Sequence, residues 1–100
     1  MTSKERAKLK GIASTMDTIL QIGKNPISPE LIKQVDDALT AREMIKMKVL
    51  ETSELSAREA AEVLAEKTHS EVVQTIGSKI VLFRRRPKSQ KKPSYLDDVK

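Results

Sequence analysis

Two apolar runs near the C-terminus, residues 71–76 and 79–84, are separated only by Gly77-Ser78. Two linking residues that begin with glycine close a tight turn, because glycine reaches the positive φ such a turn demands. That pair of strands must run antiparallel. Upstream, the short apolar run 18–22 and the alternating run 44–50 are separated from each other and from the hairpin by stretches with helical periodicity. Strands joined through helices favour parallel pairing with crossovers, so a sheet that holds all four is mixed. The order is α-β-α-β-α-β-β, an α/β (α+β) fold in one compact domain with a four-stranded mixed sheet.

The helices are marked at their starts. Thr2 with Glu5 has the spacing of a capping box, and Leu9, Ile12, Ala13 and Met16 then recur on one face. Ser28 is placed to cap the second helix, with Pro29 at its first position, Glu30 in its first turn, and Leu31, Ile32, Val35, Ala38 and Leu39 facing inward. Ser56 with Glu59 forms another capping box, ahead of Ala60, Ala61, Val63 and Leu64, and Leu55 can act as a staple before it. In the second strand Ile45, Met47 and Val49 point one way and Lys46 and Lys48 the other, which reads as a half-buried strand with a solvated lysine face.

One hundred residues suit a single domain that folds without staples. There is no cysteine, hence no disulfide framework and no thiolate metal site. No run approaches the roughly twenty apolar residues of a membrane span, and the N-terminus lacks the apolar stretch of a secretory signal, so the expected location is cytoplasmic. Net charge is +5, unevenly placed. Residues 1–25 carry five cations against two acids, and residues 84–100 seven against two, while the middle is acidic. Cationic ends on a small domain suggest a polyanionic partner. From residue 87 on, the chain has no apolar periodicity and reads as a basic, disordered tail on a domain spanning 1–86.

Catalytic chemistry is sparsely supplied. His69 is the only histidine and falls where the third helix should end, the position of a C-terminal cap. Asp36 and Asp37 are adjacent on a helix, so their side chains diverge by about 100° and do not form a pair. The reading is a non-enzyme with no cofactor and no metal. Binding is better supplied. Phe83 and Tyr95 are the only aromatics, and Phe83 on its strand reads as core, so a base-stacking platform of the usual sheet type is not expected. Phosphate, sugar and shape recognition remain, which suits structured RNA.

Gln21-Ile22-Gly23-Lys24-Asn25-Pro26 runs directly into the capped second helix. A glycine and a lysine beside a helix N-terminus suit an anion, although an ordinary strand-to-helix turn has the same look. The candidate RNA contacts are Gly23, Lys24 and Asn25 in this loop, Lys4, Lys8 and Lys10 on the first helix, and Arg84, Arg85 and Arg86 after the last strand; for Lys46 and Lys48 the solvated strand face is favoured over a contact.

The stretches Lys8-Leu9-Lys10 with Ile12-Ala13, Gln21 to Asn25, Glu43 to Leu50 and Val73 to Arg84 resemble, in this order and spacing, the YhbY-type ribosome-assembly RNA-binding proteins, also called the CRM domain. The resemblance covers about residues 3–84. It implies a four-stranded mixed sheet packed with helices, similar to the C-terminal domain of bacterial translation initiation factor three. It also implies binding to ribosomal RNA in precursors of the large ribosomal subunit; plant relatives with this domain act in intron splicing. The family loop is Gly-x-x-Gly. Gly23, Lys24 and Asn25 match it, but Pro26 stands at the second glycine, removing one N–H donor and the freedom for close backbone approach.

The expected function is therefore a monomeric, non-catalytic RNA-binding protein of large-subunit assembly, with ribosomal proteins as further partners. The rival is a protein-interaction adaptor that docks through the basic tail or an exposed helix. DNA binding has no recognition-helix pattern to support it.

Overall fold

The structure is a computed structural model that describes residues 1–24, 27–86 and 94–96. Asn25 and Pro26 lie outside the described residues, as does the expected tail apart from 94–96. The elements follow the expected order: α1 (Ser3–Ala13), β1 (Leu20–Ile22), α2 (Pro29–Arg42), β2 (Met44–Val49), α3 (Ala57–Thr68), β3 (Glu71–Ile76) and β4 (Lys79–Phe83). The sheet order is β1-β2-β4-β3. β1 pairs parallel with β2, and β4 pairs antiparallel with β2 on one side and β3 on the other. The hairpin therefore inserts its second strand into the sheet and leaves its first at the edge.

Each helix begins where its side chains satisfy the orphan amides of the first turn. Thr2 and Ser56 accept from the backbone N–H of Glu5 and Glu59, and each glutamate accepts in return from the cap residue's N–H. Ser28 Oγ accepts from Leu31 N. α3 ends on His69, which takes the left-handed conformation (φ 54°) and donates its N–H to Ala65 O, so the cap reading of this histidine holds. At the hairpin it is Gly77 that adopts positive φ, 56°. Strand boundaries differ from the expected ones by one or two residues: Thr18 and Ile19 precede β1, and Leu50 and Arg84 fall just past their strands.

The sheet has apolar cover on both faces. α2 and α3 pack Val35, Leu39, Ala60, Ala61 and Leu64 against Ile22, Ile45, Met47, Val49, Ile80 and Leu82. On the opposite face, Leu9 and Ala13 of α1 meet Met44, Val73, Val81 and Phe83. This corrects the expectation of a solvated lysine face. Lys46 is half-buried, and its Nζ donates to Ala13 O at 2.9 Å, placing a cation on the last turn of α1 where the helix dipole is negative. Only the end of that face beyond α1 stays open.

Leu96 completes the second core, 2% exposed, although it falls within the stretch expected as a separate tail. Its neighbour Tyr95 is held through its N–H, which donates to Glu43 Oε1 at 2.7 Å. Glu43 is fully buried between α2 and β2, and its other oxygen accepts from Arg86 N at 2.9 Å. A buried carboxyl group is costly unless it is hydrogen-bonded, and here a backbone amide serves each of its two oxygens. Among the described residues no helix is long and apolar enough to cross a membrane.

Candidate nucleic-acid interface

Parallel pairing of β1 and β2 delivers their C-terminal ends to one edge of the sheet. The loop that follows β1 therefore rests beside the loop that follows β2. Leu50 N donates to Ile22 O at 2.8 Å, and a methyl group built on Gly23 would lie 3.8 Å from Leu50 Cδ1 and 3.9 Å from Thr52 Oγ1. Those are ordinary contacts, and Gly23 does not take positive φ. The fold itself thus has no need of a glycine at this position. The hairpin turn arrives at the same edge, with Val49 N donating to Ser78 O at 2.7 Å. Lys24 is exposed there.

The start of α2 contributes less to anion binding than its sequence suggests. Pro29 has no N–H, Leu31 N–H is taken by Ser28 Oγ, and Glu30 puts a negative charge in the first turn. Charge at this edge is carried by lysine side chains instead. Strand register places Gln21, Lys48, Lys79 and Ile76 in a single row across all four strands, through the pairs Gln21–Lys48, Lys48–Lys79 and Ile76–Lys79. All four are exposed and lie on the α1 side of the sheet, in phase with Met44, Val81 and Phe83. At the ordinary strand spacing, the row is about 14 Å long. α1 ends over the next row, at Lys46, so it leaves this one uncovered.

Lys48 and Lys79 face each other directly across an antiparallel pair. Like charges so placed repel. Among the described residues neither they nor Lys24 makes an ion pair. Alternation alone exposed Lys48 at the sequence level, but its pairing with Lys79 depends on a register that residue spacing does not reveal. Lys79 is missing from the expected contact set, in which Lys48 stands behind the reading of a solvated strand face.

The other expected contacts fall elsewhere. Arg84, Arg85 and Arg86 follow β4, and Phe83 pairs with Met44 at the beginning of β2, whereas Gly23 and Lys24 adjoin the end of β2. The two basic groups are thus about 16 Å apart along the strands, at opposite edges of the sheet. The expected contacts of the loop and of the C-terminal arginines therefore do not form one surface.

Arg84 is moreover held within the fold. Its guanidinium donates to Thr68 O at 2.8 Å, Asp36 O at 3.0 Å and Thr40 Oγ1 at 2.7 Å, and pairs with the Asp36 carboxylate. It ties the end of α3 to the middle of α2. Arg85 is mostly exposed and reaches Glu5 Oε2 at 3.5 Å. Arg86 donates from Nη2 to Ala41 O at 2.8 Å. On α1, Lys4 and Lys10 are exposed and Lys8 is half-buried, with Lys10 in the last turn, nearest the lysine row.

This arrangement has relatives. Residues 1–84 match the CRS1 / YhbY (CRM) domain. The chain is 39% identical over 84 residues to Probable RNA-binding protein YqeI of Bacillus subtilis, covering 84% of this chain and 88% of that protein. An RNA-binding protein of Haemophilus influenzae is 27% identical over 84 residues, 84% of this chain and 85% of its own length. Among solved structures, the hypothetical protein SAV1595 of Staphylococcus aureus, described as a candidate RNA binder, superposes with a TM-score of 0.75 at 41% identity, covering 94% of this chain and 98% of that one. With the α1-to-β4 architecture and the family match coinciding over the same residues, the chain belongs to the CRS1/YhbY (CRM) domain family.

Proposed function

We propose that this protein is a non-catalytic RNA-binding protein that grips the backbone of structured RNA at the open edge of its sheet. The observation that carries this reading is the Lys48–Lys79 pair, two exposed lysines directly opposite each other on neighbouring strands, at the end of the sheet where the Lys24 loop begins, with no ion-pair partner among the described residues. An RNA phosphate set between them turns a repulsion into two charge-assisted contacts. Gly23 lets a phosphate approach the loop backbone, and Asn25, outside the described residues, stays in the proposed contact set on its sequence position alone. Lys10 extends the contact along α1, and a polynucleotide that continues past that helix reaches Lys8, Lys4, Arg85 and Arg86. Arg84 is left out of the contact set because its donors serve the fold.

The resemblance to ribosome-assembly proteins supports ribosomal RNA of the large-subunit precursor as the target; the proposed setting is the cytoplasm and the proposed state a monomer. The family match ends at residue 84 and Leu96 joins the domain's core, so the RNA-binding unit extends beyond the expected 1–86, and the basic residues after 86 add sequence-independent attraction. The test is a salt series with a large-subunit ribosomal RNA transcript. The double variant Lys48→Ala/Lys79→Ala should lose about tenfold in affinity or more, equivalent to 1.4 kcal/mol. Its log K against log[salt] slope should be shallower by about one for each lysine removed. An unchanged slope would remove the sheet edge as the binding surface.

A further inference from the structure

Beside the lysine row lies a cavity of about 250 Å³ lined by Ser14, Lys46, Gln74, Ile76, Lys79 and Val81. Ile76 is 62% exposed, the most conspicuous apolar side chain in solvent among the described residues. Its exposure has a structural cause. Strict alternation from Glu71, which shares the α1 side with Phe83, would turn Gln74 and Ile76 toward α2 and α3. The register shifts between Val72 and Gln74, so that Gln74 pairs with Val81 and Ile76 with Lys79, and both come out on the α1 side. Bulges of this kind re-aim side chains and recur beside functional sites. Arg6 of α1 holds the irregularity, its Nη1 donating to Val72 O at 2.8 Å and Val73 O at 3.1 Å.

We infer that this cavity receives one unpaired nucleobase of the bound RNA. The proposal rests on the RNA-binding reading above and specifies what the same surface recognises. Its volume is below the roughly 300 Å³ at which drug-sized ligand sites begin, and suits a single planar ring system. Val81 and Ile76 supply an aliphatic floor and wall for the ring face. Gln74 supplies an amide with both donor and acceptor, free of protein partners among the described residues, for the base edge. Lys79 borders both cavity and row, so the phosphate attached to the nucleotide falls on the cationic side. Unstacked bases in loops and bulges are the features of RNA that a protein can read individually.

The test compares two stem–loop RNAs that differ at a single bulged position, an adenosine in one and an abasic ribose in the other. The wild-type protein should bind the abasic RNA about tenfold more weakly, within the range that one base contact contributes. Gln74→Ala and Ile76→Ala, both at accessible positions, should keep the melting temperature and bind the two RNAs equally. If wild type does not distinguish the RNAs while Lys48→Ala/Lys79→Ala still weakens both, the base site is overturned and the backbone reading stands. If that lysine variant also binds both RNAs like wild type, the interface itself is wrong. Self-association abolished by Ile76→Asp would assign the face to a second copy of the chain and likewise overturn the base site.

Discussion

At the level of single residues, charge type says little about role until the partners are known. Arg84 and Lys79 lie five positions apart on or just beyond one strand, yet the first is a fastener and the second an open cation. The guanidinium of Arg84 satisfies carbonyls on two helices at once, a task suited to its planar fork of donors. Arg84→Ala should therefore lower stability by about 1.5–3 kcal/mol, the range for hydrogen bonds to charged groups. The RNA affinity of the folded fraction should stay unchanged. Denaturant unfolding and a binding isotherm on the same sample check both halves. Glu43 is a comparable case: a fully buried acid that anchors backbone rather than a catalytic group.

At the level of elements, the caps were the most readable part of the sequence, because a cap is a local event set by residues three apart. Thr2 with Glu5, Ser28 with Pro29 and Ser56 with Glu59 all start helices where their spacing placed them. The register shift at Val73 was not readable. It has no glycine to mark it, and the group that grips it is an arginine 67 residues away whose guanidinium meets two carbonyls of one strand. The cover that α1 provides was hidden for a related reason. The alternation of β2 advertises one apolar face, and Met44 alone hints at the second.

The caps also carry a pH dependence. Backbone hydrogen bonding from Ser56 holds the Glu59 carboxyl below its usual range, as bonding from Thr2 does for Glu5. A depressed folded pKa means the unfolded chain takes up protons first on acidification. The stabilisation is therefore complete above the ordinary glutamate value, about 4.3, and is lost as pH falls through it toward the folded one. Glu59→Gln keeps an acceptor oxygen and removes the titration. Its melting temperature should lie below wild type at neutral pH and converge with it in acid. A gap that stays constant across a pH series would contradict this account.

At the level of the whole molecule, positive charge is divided between two edges of a sheet that is otherwise covered. Overall basicity was plain in the sequence, but the division was not, because it depends on β4 running opposite to β2. The stretch after the family match is also part of the architecture, since Leu96 shares a core with α1, Val81 and Phe83. Leu96→Ala should destabilise the whole domain by about 2–5 kcal/mol, as deletion of a fully buried leucine does elsewhere. Unfolding should remain one cooperative transition, and calorimetry would detect a separate early step if residues 94–96 were an independent appendage.

The grip of Arg6 on the carbonyls of Val72 and Val73 has a last consequence. A strand at the rim of a sheet can slide by one position more easily than one in its middle, and each slide exchanges inside for outside. Here such a slip would hide Ile76 and withdraw Gln74. By clasping the one point where the ladder changes step, the first helix acts as a pawl on a ratchet, keeping that exterior texture fixed.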